Sequence, residues 1–425
     1  MSNIVLDNGF GMGGPWNSPA SDPKAIAESL QTAAHQADLF WMKEAMTVGL
    51  QGIGIANPNP SVGCVLLDAQ GKEVARGATQ AYLGWHAERS AFSQVQHPDQ
   101  LDGGTAYVTL EPCSHQGNQP PCVDLLLQSR IRRIVVARKD PNPLVCGQGI
   151  EKLLKAGKKV DVGIYAHEAT AWNIPFFGEL AFERPIIALK WAQTLDGQLA
   201  DDNHHSQWIT GPEARAYSHR LRQKYDAVLI GVQTLIQDRP QLNVREGLER
   251  GENMHSPLPL IFDPQGACLE VDYSIQEALL ASTFRPHRPV VCFISEAVLA
   301  KHRGSWLEKH PQVILLPLVG DHPIQEAVAA LQSQEIRVLL GHRIQSVMIE
   351  GGPKTLAGFL KEGFGDVLHV FIAPILTGGQ KNRVFAERLL ESAQGFHLIS
   401  TAQLGADSLM EMVSKETMKN VFLGD

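Results

Sequence analysis

Apolar residues recur at helical spacing through DLFWMKEAMTVGLQGIG from Asp38, predicting an amphipathic helix, and SVGCVLLD then changes to the pattern of a buried strand ending at the Ala69-Gln70-Gly71 turn. HAERSAFSQV predicts a helix, TAYVTLEPC a strand running into Cys113, CVDLLLQSRI a second helix and RIVVAR a strand. GIEKLLKAGKKVDVGI adds a helix and a strand. After Pro185 the alternation resumes: strand IIALKWAQT, loop LDGQLA, helix PEARAYSHRLRQKY, strand AVLIGVQTLI, then strands PLIFDP and PVVCFIS. SVMIEGGPKTLAGFLKEG has the pattern of strand, loop and helix, and VLHVFIAPILTG that of a last strand before a polar loop. Alternating strands and helices predict an α/β protein with layered sheets, each cluster of chemically active residues lying at a strand end or a helix start.

A chain of 425 residues exceeds one ordinary core. The boundaries predicted are an extension over 1–36, a first domain over 37–183 and a second over 184–425, with NIPFFGELAFERP as the link. The extension opens with a Gly/Pro/Asn-rich stretch and continues with a short predicted helix, KAIAESLQTAAHQ. MSNIVLDNGFGMGGPW has neither a basic nor an apolar leader segment, and no apolar run approaches the roughly 20 residues of a membrane span, so cytoplasmic residence and no membrane partner are expected. A net charge of −8 argues against a nucleic-acid groove. The one basic cluster, IRRIVVARKD, suits a strand with charged ends. Six scattered cysteines predict reduced thiols and a metal site rather than a disulfide framework. Of these, Cys64, Cys146, Cys268 and Cys292 are expected to be packed thiols.

The other two cysteines carry chemistry. His86-Ala87-Glu88, then Glu111-Pro112-Cys113 and Cys122, offer one imidazole and two thiolates, a donor set that suits Zn²⁺ and leaves its fourth position for a water. Glu88, two residues from His86, can move a proton without binding the metal. Zinc deaminases share an H-x-E and P-C-x-x-C pattern, but eight residues separate Cys113 from Cys122 here. The competing possibility is a closed structural zinc knot with His115 as fourth ligand; it would give Glu88 no role. In the second half, Glu350-Gly351-Gly352-Pro353-Lys354-Thr355 follows a strand and opens a helix, where free backbone N–H groups can hold a phosphate. CGQGIEK at 146–152 lacks the third glycine of a dinucleotide fingerprint and is expected to be a helix start.

EPCSHQGNQPPC together with NPNPSVGCV at 57–65 resembles the deaminase half of the bifunctional pyrimidine deaminase/reductases of bacterial riboflavin synthesis. LKWAQTLDGQLA, SQWITG, Gln237-Asp238-Arg239-Pro240, LNVR and IEGGPKTLAGFL, in that order, resemble the reductase half. The resemblance extends over nearly all of 38–380. It implies a cytidine-deaminase-like three-layer α/β domain followed by a dihydrofolate-reductase-like α/β domain. It further implies Zn²⁺ and NADPH as cofactors, a phosphoribosylaminopyrimidine substrate and a homodimer or higher oligomer. Carried over, it implies cofactor contacts from Ala192, Trp208, Thr234, Asp238, Gly352, Pro353, Lys354 and Thr355. Substrate contacts are implied for Asn59, Ser206, Arg222, Leu242, Arg245 and Glu350, with Lys190 binding or polarising the substrate and Arg222 and Arg245 forking onto a phosphate. Three positions depart from the family pattern: Thr79 stands where a histidine is usual, Gln119 where a threonine is, and Pro264 where a hydroxyl residue is. The expected chemistry is deamination followed by reduction of a ribose to a ribityl chain. The alternatives are a reductase with a weakened deaminase half, a nucleic-acid deaminase with a C-terminal binding module, and a zinc-stabilised nucleotide-binding scaffold.

Overall fold

The computed structural model describes residues 33–117, 119–142, 146–200, 208–245, 256–379, 383–384 and 394–423. They form two compact units, with the break between Leu180 and Ala181. That break lies inside a helix, Ile174–Phe182, where a linking segment was expected. Ile174, Phe177 and Gly178 are buried along it, which is why IPFFGELAF coils instead of running as an irregular link. The helix predicted over 24–36 lies mostly outside the described residues.

The first unit is built on a five-stranded sheet in the order β2-β1-β3-β4-β5, comprising β1 Gly63–Leu67, β2 Glu73–Ala78, β3 Thr105–Val108, β4 Arg133–Val136 and β5 Lys159–Val162. β1 pairs antiparallel with β2 and β3, whereas β3, β4 and β5 run parallel. Parallel neighbours need a crossover, and the helices Cys122–Gln128 and Gln148–Lys155 supply the two. Every residue of β1 is buried, as in a strand covered on both faces. Met42 and Ala45 of the helix Ala33–Gly49 pack with Val65, Leu67, Tyr107 and Val135. Arg133 forks onto Asp38 with two bonds of 2.7 Å, and Tyr107 Oη donates to the same carboxylate at 2.6 Å, fastening that helix to β3 and β4. β2 has no counterpart among the predicted strands. It is an edge strand with two buried positions in six, so EVARGA shows no apolar alternation.

Gly63 passes so close beneath the helix Ala33–Gly49 that a Cβ would overlap the Ala45 carbonyl. Gly63→Ala is therefore expected to destabilise the first unit by about 1–3 kcal/mol through overpacking. Urea unfolding checks this; an unchanged midpoint would show that the helix can shift freely.

The second unit carries a nine-stranded sheet in the order β10-β9-β8-β7-β11-β6-β12-β14-β13. Its strands are β6 Ile186–Thr194, β7 Ala227–Gly231, β8 Leu258–Phe262, β9 Val290–Ser295, β10 Val313–Leu318, β11 Ser346–Glu350, β12 Val367–Ala373, β13 Phe396–Leu404 and β14 Asp407–Ser414. From β10 to β12 the neighbours are parallel, and β14 and β13 continue antiparallel. The core gathers Ile187, Leu189, Leu229, Leu260, Phe293 and Phe359. AVLIGVQTLI, predicted as one strand, divides at Gly231 into β7 and the helix Val232–Asp238. A short apolar run leaves strand and helix indistinguishable by pattern. β10 and the hairpin β13–β14 fall in segments for which no element was predicted. Among the described residues no helix is long and apolar enough to cross a membrane.

Candidate active sites of the two halves

His86 caps the helix Ala87–Phe92, Cys113 follows the end of β3, and Cys122 is the first residue of the helix Cys122–Gln128. The fold thus brings three sequence-distant donors to one point. His86 Nδ1 lies 3.6 Å from Cys113 Sγ and 3.5 Å from Cys122 Sγ, and all three donor atoms fall within 4.8 Å of one another. A tetrahedral centre with ordinary zinc–nitrogen and zinc–sulfur lengths sets roughly 3.6 Å between nitrogen and sulfur, so the donors fit that ion. Among the described residues His115 does not join the cluster. It is exposed on the rim, and three donors leave a position open. A closed zinc knot is thus not what the geometry builds. Hydrogen bonding to Cys122 and His86 lowers the Cys113 thiol, while the Cys122 thiol is raised by its bond to Cys113 and by burial. The Cys122 N–H also donates to Cys113 Sγ at 3.3 Å.

Glu88, on the same helical turn as His86, is buried and lines a cavity of about 360 Å³ with His86 and Cys113. Burial, helped by the Cys113 sulfur, pushes its carboxyl up to about 7. The other buried Glu of the cavity is fully engaged. Glu111 accepts four backbone N–H bonds, from Asp140 at 3.2 Å, Gly147 at 2.9 Å, Gly149 at 3.0 Å and Ile150 at 3.2 Å, and so anchors the start of the helix Gln148–Lys155. CGQGIEK is thus a helix start. Asn59 and Thr79 line the same cavity. Thr79 Oγ1 accepts the Val62 N–H at 3.0 Å, so the residue that replaces the family's histidine is tied to backbone. Cys64, Cys268 and Cys292 are buried as expected, but Cys146 is exposed, a correction that follows from its place in the loop before Gly147.

In the second half β7 and β11 are adjacent parallel strands, and a helix opens at the end of each: Val232–Asp238 after Gly231, Pro353–Lys361 after Gly352. Thr234 Oγ1 accepts the Gly352 N–H at 3.3 Å, joining the two helix starts. A Cβ on Gly231 would overlap the Thr355 hydroxyl, so that glycine allows the close approach. Thr234, Gly352, Pro353, Lys354 and Thr355 are thereby brought together. Asp238 ends the first of these helices, and Ala192 lies on β6 opposite Phe371. Trp208 is exposed, with the Arg215 guanidinium 4.4 Å from its ring centre. Ser206 lies outside the described residues.

A second cluster surrounds Glu350. Arg222 forks onto it through Nε at 2.6 Å and Nη2 at 3.0 Å, and Lys190 Nζ lies 3.5 Å away. These charges hold the Glu350 carboxyl down at about 2 against its burial. Burial, with Arg222 nearby, lowers the Lys190 ammonium. The expectation that Arg222 forks onto a phosphate is corrected here, since its two-pronged face is occupied by the carboxylate. Its Nη1 instead donates to the Asn243 carbonyl at 2.9 Å. Leu242 is buried, with a left-handed φ of 47°. Arg245 remains exposed beside Asn243, 3.1 Å from its Oδ1.

The two halves match two family models: the cytidine and deoxycytidylate deaminase zinc-binding region over residues 35–138, and the RibD C-terminal domain over 185–410. A riboflavin biosynthesis protein RibD from Aquifex aeolicus is 40% identical over 81% of this chain and 88% of its own length. The chain belongs to the RibD family. The RibD of Escherichia coli is 31% identical over 88% of this chain and 99% of its own. A deaminase/reductase structure from Thermotoga maritima superposes with a TM-score of 0.73 at 30% identity, covering 90% of this chain and 99% of that one. This RibD-family chain is thus an enzyme of riboflavin biosynthesis with a deaminase half and a reductase half. A C-terminal nucleic-acid-binding module and a non-catalytic scaffold are not what these matches support.

Several residues of the two sites escaped the sequence. Asp140 lines the deaminase cavity, where burial, followed by the Glu111 charge, pushes its carboxyl up to about 6. Its position just past a parallel strand was the available signal, because ligands gather at the carboxyl ends of such strands. Arg288 donates to the carbonyls of Gln241, Leu242 at 2.6 Å and Pro257 at 3.1 Å, and nothing local in RPHRPV announces that it braces the loop carrying Leu242.

Proposed function

We propose that the first half deaminates 2,5-diamino-6-(5-phosphoribosylamino)pyrimidin-4-one and that the second reduces the ribose of the product to a ribityl chain with NADPH. One observation carries the deaminase assignment: His86 Nδ1 sits at tetrahedral spacing from two sulfurs, beside a buried carboxyl. His86, Cys113 and Cys122 would hold Zn²⁺, which when bound supplies Lewis-acid activation of water, as NADPH when bound supplies hydride. Glu88 takes the proton of the attacking water and returns it to the departing ammonia. Asn59 and the cavity wall orient the pyrimidine. In the second half the joined helix starts at Thr234 and Gly352 offer N–H groups to the cofactor's phosphates. Glu350 holds Lys190 and Arg222 in one arrangement, and the exposed Arg245 would meet the substrate phosphate.

Ammonia release and absorbance of the reduced cofactor, followed with and without NADPH, test both steps. Ammonia without NADPH, and NADPH oxidation only after deamination, are the expected results; oxidation that fails on already deaminated substrate would overturn the second assignment. Stripping the metal with a chelator is expected to abolish ammonia release and to leave reduction of deaminated substrate unchanged. Loss of both activities would show that the metal serves the fold instead.

A further inference from the structure

Gln119 stands at a departure from the family pattern, and its surroundings give the departure a purpose. It lines the deaminase cavity with Asn59, Thr79, Leu83 and Gly84. Its Nε2 donates to the Gly84 carbonyl, which assigns the two ends of the amide, because only the nitrogen can serve a carbonyl. The remaining oxygen, Oε1, is shielded from solvent and has no partner among the described residues. A buried acceptor left without a donor is costly unless something else supplies one.

The Gly84 carbonyl is itself held in place. Gln80 N–H donates to the Trp85 carbonyl at 2.9 Å, Trp85 N–H to Gln80 Oε1 at 3.0 Å and Gly84 N–H to the Ala81 carbonyl at 2.7 Å, closing residues 80–85 into a tied turn. A Cβ at Gly84 would crowd Gln80 and the Ala81 carbonyl, so this turn requires the glycine. Gln119 is thus anchored at one end on a preorganised loop and unpartnered at the other among the described residues. Among the described residues lining the cavity none is a lysine or arginine. Selection within it therefore falls to amides, carboxyls, imidazoles and a hydroxyl.

We propose that Gln119 is a specificity-determining residue of the deamination step, its Oε1 accepting a hydrogen bond from an N–H or O–H donor of the bound pyrimidine nucleotide. This rests on the deaminase function proposed above. Removing one neutral hydrogen bond corresponds to about a 3- to 10-fold loss of affinity. Gln119→Met keeps the length of the side chain and removes the acceptor. For ammonia release it is expected to raise KM by about that factor while kcat, bound zinc and NADPH-dependent reduction of deaminated substrate stay at wild-type values. An unchanged KM overturns the proposal. So does a fall in kcat accompanied by zinc loss, which would mark Gln119 as a prop for the metal loop. The same comparison by calorimetry, with the diaminopyrimidine phosphate binding to Glu88→Gln protein with and without Gln119→Met, decides the matter even if wild-type protein releases no ammonia. That last result would sink the proposed reaction, whereas equal affinities of the two proteins would sink the role of Gln119.

Discussion

Glu88→Gln is expected to lower ammonia release by about 10²- to 10⁴-fold, the usual weight of a positioned acid/base, while zinc content and the reductase activity remain at wild-type levels. The expectation follows from how the carboxyls of the cavity are engaged. Glu111 cannot stand in, because both its oxygens are occupied by the four N–H groups that start the helix Gln148–Lys155. Asp140 Oδ1 accepts the Asn142 N–H at 2.9 Å, and among the described residues the donor cluster comprises His86, Cys113 and Cys122 without it. Glu88 alone shares the metal-facing turn. The amide variant preserves volume and burial, so a drop in turnover with intact metal isolates proton transfer. Glu111→Gln is the informative contrast: it exchanges an acceptor-only group for one bearing an NH₂ that faces N–H donors, and it should lower stability as well as activity. If Glu88→Gln protein with a full complement of zinc still released ammonia within tenfold of wild type, Glu88 would not be the proton carrier.

The donor set was legible because its chemistry is local in type. An imidazole, two thiols and a spare carboxylate are rare residues, and their order along the chain survives whatever loop separates them. The long strands β6 and β12 and the helix starts at His86, Cys122 and Gly352 were legible for a related reason: each joins a period to a boundary residue. The edge strand β2 was not, since a strand covered on one side by so little has no apolar face to announce it. β14 shows a strict alternation of buried and half-buried residues over DSLMEMVS, yet its charged and hydroxyl members resemble a loop unless β12 is known to lie beside it. Side-chain partnerships were the least accessible. Arg222 and Glu350 are 128 residues apart, and no local pattern says that the guanidinium will face a carboxylate instead of a ligand. The same holds for the buried row in which His369 Nδ1 lies 3.0 Å from Glu411 and Tyr225 Oη 2.6 Å from His369 Nε2. The register of β12 against β14 sets His369 opposite Glu411, and Tyr225 joins from the turn before β7.

The Glu350 cluster yields the second large effect. Glu350→Gln leaves two cations, Arg222 and Lys190, with side chains 12% and 16% exposed and no carboxylate between them. Removing one partner of a buried ion pair costs about 3–5 kcal/mol, mostly because the other charge stays desolvated. Reduction of deaminated substrate should be lost, while ammonia release by the first half persists. The dependence on pH has a definite sign. Glu350 is held at about 2 in the folded protein against an ordinary 4.5, so the folded state binds fewer protons than the unfolded one through that interval. The stability it contributes is therefore complete above about 4.5 and fades as pH falls toward 2. Glu411, also held at about 2, has the same slope, but it is present in both proteins and cancels in their difference. The gap in unfolding free energy between wild type and Glu350→Gln should thus be full at pH 7 and shrink below pH 4.5. Adding Arg222→Met to Glu350→Gln removes the stranded guanidinium and should restore part of the stability without restoring reduction. A gap independent of pH, or a double variant no more stable than the single one, would mean that the cluster is solvated and that its charges contribute little to the fold.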